Sequence, residues 1–230
     1  MIMPFSNAAL TPLDLVALGL LVAVWGLTGY LVEHPPKGRP SVSVIMAQYR
    51  RDWMRQFVTR QPRIFDANVI DSLRQGTAFF ASASMIAIGG GVALIGNSAQ
   101  VAGLAQDLTL QAEGVVIEIK IILVVAFLAN ALLKFIWAHR LFGYCAIMMA
   151  AVPNDANDPQ AYVLADHAAE VNITAAKSFN RGLRAIYFAL AAIGWLLGGA
   201  ALIVTVTVAA AVLMRREFAS HSRAVMLTRT

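Results

Sequence analysis

The sequence predicts an all-α fold, a polytopic membrane bundle of four transmembrane helices with added amphipathic helices, on three observations. The 230 residues are 59% hydrophobic and only 13% charged, whereas soluble domains run at about 45–50% apolar and about 25% charged. Four segments, residues 13–32, 77–96, 115–137 and 185–213, are long and apolar, and a bilayer core about 30 Å thick takes roughly 20 such residues as a helix. Lys and Arg collect in the connections between these segments, as they do in loops that stay in the cytoplasm. No separate soluble domain is expected in residues 1–230.

The first segment follows "MIMPFSNAALTPLD". That stretch has no basic n-region, and no small-residue cleavage motif follows the apolar run, so it reads as a retained span and not a signal peptide. The prolines of "EHPPKGRP" end it. From Val42 to Phe57 the apolar residues fall at 42, 45, 46, 49, 53 and 57, one helical stripe. This predicts an amphipathic helix over about 42–60, with Tyr49, Trp53 and Phe57 on one face and Arg51 and Arg55 on the other. Trp on the apolar face and Arg on the polar face suit the headgroup zone, which makes Arg51, Trp53 and Arg55 candidate lipid-binding residues.

Pro62 interrupts that helix. The next starts near Ile64 and runs into the second span without a break, since no Gly or Pro intervenes before Gly76; "GGG" at 89–91 offers a local loosening or a break. After the third span, "HRLFGYCAIMMAAV" is too short to cross alone and reads as a helical continuation or an interfacial segment. "PNDANDPQ" is turn-rich. Asp158 is placed as an N-cap with Pro159 at the first helical position, opening an Ala-rich amphipathic helix over about 159–184 that leads into the fourth span. That last segment, 29 residues, is about 43 Å long as a helix and must tilt or protrude.

Charge sets the orientation. The connection 33–76 holds eight basic residues, and Arg140, Lys177, Arg181 and Arg184 follow the third span. The second connection has only Lys120. With four crossings, twelve basic residues stand against five. This puts both long connections in the cytoplasm and both termini outside, the N-terminus in the periplasm, for a chain of the bacterial inner membrane. Four arginines in the tail run against the rule, and a fifth crossing would flip the tail.

The net charge of +5 belongs to these loops, so no nucleic-acid partner is expected. Cys145 is the single cysteine, which excludes an intramolecular disulfide and a cysteine-based metal cluster. The four histidines are scattered and none is central in a span, whereas a bundle metal site takes paired ligands at matching depth. Asp166, His167 and Glu170 lie close on one helix and read as a solvated face. With no P-loop, nucleophile elbow or HExxH motif, neither an enzyme nor a cofactor or metal is expected.

What remains is a set of polar residues at one membrane depth. Asp66, Asp71 and Arg74 precede the second span, and Asp71 and Arg74 are spaced to pair along a helix. Lys134 and Asn130 share a face near the end of the third span, followed by Arg140. Asn180, Arg181 and Arg184 open the fourth. Together with Arg63 these side chains form a candidate polar cluster or pore mouth, in which Arg181 and Arg184 meet the aspartates before the second span. The bland alternative leaves them in headgroups or cytosol. Small residues at helical spacing, Gly76, Ala83, Ala87 and Gly91 in the second span and Ala191, Gly194, Gly198 and Ala201 in the fourth, suit close helix contact. That contact is either within one subunit or between copies of a homo-oligomer.

"YRRDWM" (49–54), "RIFDANVIDSLRQGTAFFASAS" (63–84), "KFIWAHR" (134–140), "FNRGLRAIYFALA" (179–191) and "RREFAS" (215–220), in this order and spacing, resemble a family of bacterial and plant membrane proteins, domain of unknown function 599. The resemblance implies an integral membrane protein and carries over no catalytic residue. In that family a His-Pro pair often follows the tryptophan of the fourth span; here Trp195 is followed by "LLGGA", so no role for that histidine transfers. Two functions remain open: a homo-oligomeric channel or transporter for small anionic solutes, or a non-transporting scaffold that binds anionic membrane lipids.

Overall fold

The computed structural model describes residues 10–97 and 114–228, and among these every regular element is a helix. Helix α1 is Pro12–Glu33. Thr11 caps it: the Thr11 hydroxyl accepts the Asp14 N–H at 3.2 Å, and the Asp14 carboxylate accepts the Thr11 N–H at 3.0 Å, a capping box with Pro12 at the first helical position. Helix α2, Val42–Thr59, is capped by Ser41, whose hydroxyl also donates to the Val32 carbonyl at 2.7 Å. One serine therefore fastens the start of α2 to the end of α1. Helix α3, Ile64–Gly96, runs unbroken through Gly89–Gly91. At the third glycine the next helix, Gly114–Ala150, comes close: a Cβ there would stand 2.5 Å from Val125 Cγ2.

Helix α4, Gly114–Ala150, carries the third span on through 139–150 without interruption. At 37 residues it is about 55 Å long, well over the bilayer core. Helix α5 is Ala161–Ile193. Asp158 does not cap it: its carboxylate accepts the Gln160 N–H at 2.8 Å inside the preceding turn, and α5 starts after Gln160 with no side-chain cap.

The fourth segment is not one helix. A 3₁₀ turn, Gly194–Leu197, ends at Gly198 with φ of 111°, a conformation that costs only glycine nothing. Helix α6, Gly199–Phe218, then doubles back on α5. The close approach uses the small residues seen in the sequence. A Cβ on Gly194 would lie 2.5 Å from Thr205 Oγ1, and that hydroxyl donates to the Ala191 carbonyl at 2.7 Å. Nothing in the composition marks the reversal, because both arms are equally apolar. A short helix α7, His221–Leu227, follows.

The reversal corrects the placement of the tail. Helix α1 lies alongside α6, with Leu13 against Gly199 at one end and Leu31 lining one cavity with Met214 and Phe218 at the other. Helices α1, α3 and α4 and the stretch Gly199–Leu227 are the four described helices long and apolar enough to cross a membrane. The last part of α5 traverses the same depth as α1, from Glu33 beside Arg181 to Asp14 beside Trp195. The tail therefore returns to the end that holds connection 33–76, where Arg223 Nε donates to the Pro40 carbonyl at 2.9 Å and Tyr49 to the Met226 carbonyl at 3.3 Å. Of the four tail arginines that conflicted with four crossings, Arg215, Arg216 and Arg223 join the others, and Arg229 lies outside the described residues. Among described Lys and Arg, Lys120 alone stays at the opposite end. Accordingly, in oriented vesicles Ser222→Cys and Lys37→Cys are expected to react with a membrane-impermeant thiol reagent from the same side; reaction from opposite sides would restore the uninterrupted fourth span.

At the basic end, α2, the start of α3, the end of α4 and the start of α5 form a layer beyond the spans. Its core holds Met54, Phe57, Val58, Phe142, Cys145 and Met149, closed by Ala161, Ala165, Ala168 and Ala169. The apolar face of α2 thus packs on protein and does not lie in headgroups; the flat alanine face of α5 admits it closely, which residue periodicity on α2 alone could not indicate. The membrane layer is built on Leu21, Phe188, Ala192, Trp195, Leu202 and Val206. Phe135 joins the layers: its ring lies on Gly182, where a Cβ would meet it at 2.6 Å. Helix α3 packs on α4 along one side and leaves most of its apolar span uncovered.

Candidate functional site

The expected polar cluster divides in two. Arg181 and Arg184, on successive turns of α5, do not meet Asp66 or Asp71. Both close on Glu33, the last residue of α1. Arg181 Nε donates to Glu33 Oε1 at 2.9 Å, and Arg184 Nη2 donates to the same oxygen. Arg184 is buried and Arg181 half-exposed. Glu33 carried a signal that was available in the sequence. It is an acid at a helix C-terminus, where the macrodipole disfavours negative charge, so a cation partner is called for.

Around this triad a groove of about 400 Å³ opens between α1, α4 and α5, with Trp25, Gly26, Gly29 and Tyr30 on one wall and Asn130 and Lys134 on the other. Gly26 and Gly29 leave the α1 wall bare, and a Cβ on Gly29 would come 3.9 Å from Arg184 Nε. Deeper in the membrane, Trp25 and Phe127 meet edge to face at 5.3 Å. Lys134 forms no ion pair among the described residues, so three cations face one carboxylate.

Asp66 and Arg63 belong to the second group, a knot between α2, α3 and the end of α4. The fully buried Asp66 accepts from Trp53 Nε1 at 2.7 Å and from Arg60. Arg63 donates to the Val152 and Pro153 carbonyls at 2.8 and 2.7 Å, where α4 ends, and its guanidinium lies 4.3 Å above the Phe57 ring. Arg74 stands at the α3–α4 contact, its carbonyl accepting from Thr77 at 2.7 Å. Asp71 does not pair with it but accepts from Gln75 at 2.6 Å. Arg140 donates to the Tyr144 hydroxyl at 2.8 Å on the exposed side of α4. Asn180 faces α2, its amide 3.4 Å from Ser43 Oγ.

The α2 residues expected to meet lipid have partners within the chain. Arg51 pairs with Glu170 at 2.7 Å and Arg55 with Asp166 at 3.1 Å, so the Asp166, His167 and Glu170 face is an ion-paired helix contact. The hydrogen bond to Asp166 raises the Arg55 guanidinium above its ordinary value, whereas burial lowers that of Arg50, which donates to the neutral Asn172 amide. Sequence reasoning also passed over a buried group at the opposite end: Trp195 Nε1 donates to Asp14 at 2.7 Å, with Lys120 Nζ 5.7 Å from the indole centroid.

No curated protein and no solved structure matches the chain. A family model described as "Protein of unknown function, DUF599" matches residues 16–222, a range that contains both polar groups, the hairpin and the five motifs. With that match over most of its length, the chain belongs to the DUF599 family, and it does so as an all-helical protein with four helices able to span a membrane.

Proposed function

We propose that this protein binds an anionic membrane lipid in the groove between α1, α4 and α5, without catalysing a reaction, and that its basic end faces the cytoplasm of a bacterial inner membrane. The observation that carries the reading is the groove itself. Its deep part is aromatic and glycine-lined, and its mouth holds Lys134, Arg181 and Arg184 against Glu33 alone. That gradient matches an amphiphile, with acyl chain along α1 and headgroup at the mouth. Cations that only fastened helices together would be balanced.

A homo-oligomer, with a solute path between copies, is the second reading. It draws on α3, whose exposed face carries Gly76, Ala83 and Ala87, residues that admit close helix approach.

Native mass spectrometry of protein released from nanodiscs containing phosphatidylglycerol tests both. The first reading expects retained phosphatidylglycerol, reduced about fivefold in Lys134→Ala, in line with about 1 kcal/mol per basic group at a membrane surface. Equal retention by the variant would reject the groove as the site. The same spectra give the subunit number, and a single copy would remove the oligomeric reading.

A further inference from the structure

A second cationic cavity lies on the other side of Arg184, at the basic end between α2, α5 and α6. Two adjoining hollows of about 200 and 310 Å³ share Val42, Asn180 and Glu217. Arg50 and Lys177 line the first and Arg216 the second. None of the three forms an ion pair among the described residues. Arg50 donates to the Asn172 amide and Arg216 to the Tyr187 hydroxyl, both neutral, and Lys177 is exposed. This contrasts with Arg51 and Arg55 on the same helix α2, each matched to a carboxylate. A surface that needed only to be polar would match its charges throughout.

One acid faces these cations. Glu217 is held by the Ser43 N–H at 3.1 Å and the Ser43 hydroxyl at 3.3 Å. Its carboxylate lines both hollows, a space whose cations outnumber it.

We propose that this crevice binds a phosphate-bearing anion, held by Arg50, Lys177 and Arg216, with Glu217 as a resident competitor. Phosphate suits the donors better than a single carboxylate does. Two guanidinium forks and an ammonium approach from three helices, and a tetrahedral oxyanion presents oxygens in all those directions. Glu217 lines both hollows and repels an incoming anion, so it tunes affinity downward. The proposal goes beyond the lipid groove and uses none of the groove's unpaired cations.

The test titrates inorganic pyrophosphate calorimetrically into the detergent-solubilised full chain and, in a second arm, measures phosphatidylglycerol retained from nanodiscs. Lys177→Ala and Arg216→Ala are expected to weaken binding about tenfold, the weight of one charge-assisted hydrogen bond. Glu217→Gln is expected to tighten it about tenfold, an effect a structural role for Glu217 would not produce. Lys177 is exposed and unpaired, so its removal leaves the fold intact. This sign pattern with pyrophosphate identifies a soluble phosphate ligand; the same pattern with phosphatidylglycerol alone identifies a headgroup. Absence of binding in both arms, or weakening by Glu217→Gln, overturns the proposal. Lys134→Ala leaves the pyrophosphate affinity unchanged, which separates this site from the groove.

Discussion

Glu33→Ala is expected to destabilise the bundle by about 3–5 kcal/mol, the range for removing one partner of a buried ion pair. Arg184 sets the size of the effect. Its side chain is 9% exposed and Glu33 is its carboxylate partner, so the variant strands a guanidinium between α1, α5 and α6. Arg181, half-exposed, turns to water and adds little. The cost therefore lies in uncompensated burial and not in the attraction lost, and this distinction is measurable. The double variant Glu33→Ala with Arg184→Leu is expected to recover most of the loss, because an apolar side chain replaces the stranded charge. Denaturant unfolding in detergent micelles, with the two single variants completing the cycle, reads the coupling. Additive losses would show that Glu33 and Arg184 do not depend on each other.

That dependence could be anticipated only in part. The arginines were visible as cations at the edge of an apolar run, and a partner was expected, but the aspartates before the second span were the wrong one. Separation along the chain does not reveal which helix ends share a depth; the α5–α6 hairpin decides it by bringing α1 against both. The hairpin hides because its turn is made of Gly194 and Gly198 within an unbroken apolar stretch, and glycine spacing there reads equally well as a packing face. The four arginines of the tail were the legible trace of it, since they ran against four crossings and suited five. By contrast α2 and the restart at Ile64 followed directly from residue spacing and from Pro62, because each is decided within a few turns of chain, and of the two readings of 139–152 the structure shows the helical continuation. Helix faces were legible too, though what covers them was not. The stripe of α2 faces alanines more than a hundred residues away, and single-helix periodicity is silent on whether the cover is lipid or protein.

The knot at Asp66 puts the protein–protein reading of α2 to the test. Asp66→Ala is expected to cost about 3 kcal/mol, since hydrogen bonds to a charged acceptor contribute about 1.5–3 kcal/mol each and the groups left behind lose water as well. Its carboxylate is fully buried and receives both Trp53 on α2 and Arg60 at the turn. Loss of the acid leaves the Trp53 N–H and the Arg60 guanidinium, which share one carboxylate oxygen, without that acceptor. The damage should stay local. Arg63 still holds the end of α4 through Val152 and Pro153, and the membrane layer shares no core residue with this one. Amide hydrogen exchange should therefore rise across Val42–Thr59 and the first turn of α3, with α6 unchanged. Asp66→Asn keeps an acceptor for Trp53 but removes the charge opposite Arg60, and it is expected to lose about half as much. Were α2 instead a helix resting in lipid headgroups, its exchange would follow the lipid composition and ignore Asp66, and that outcome would dismantle the basic-end layer on which the phosphate crevice also depends.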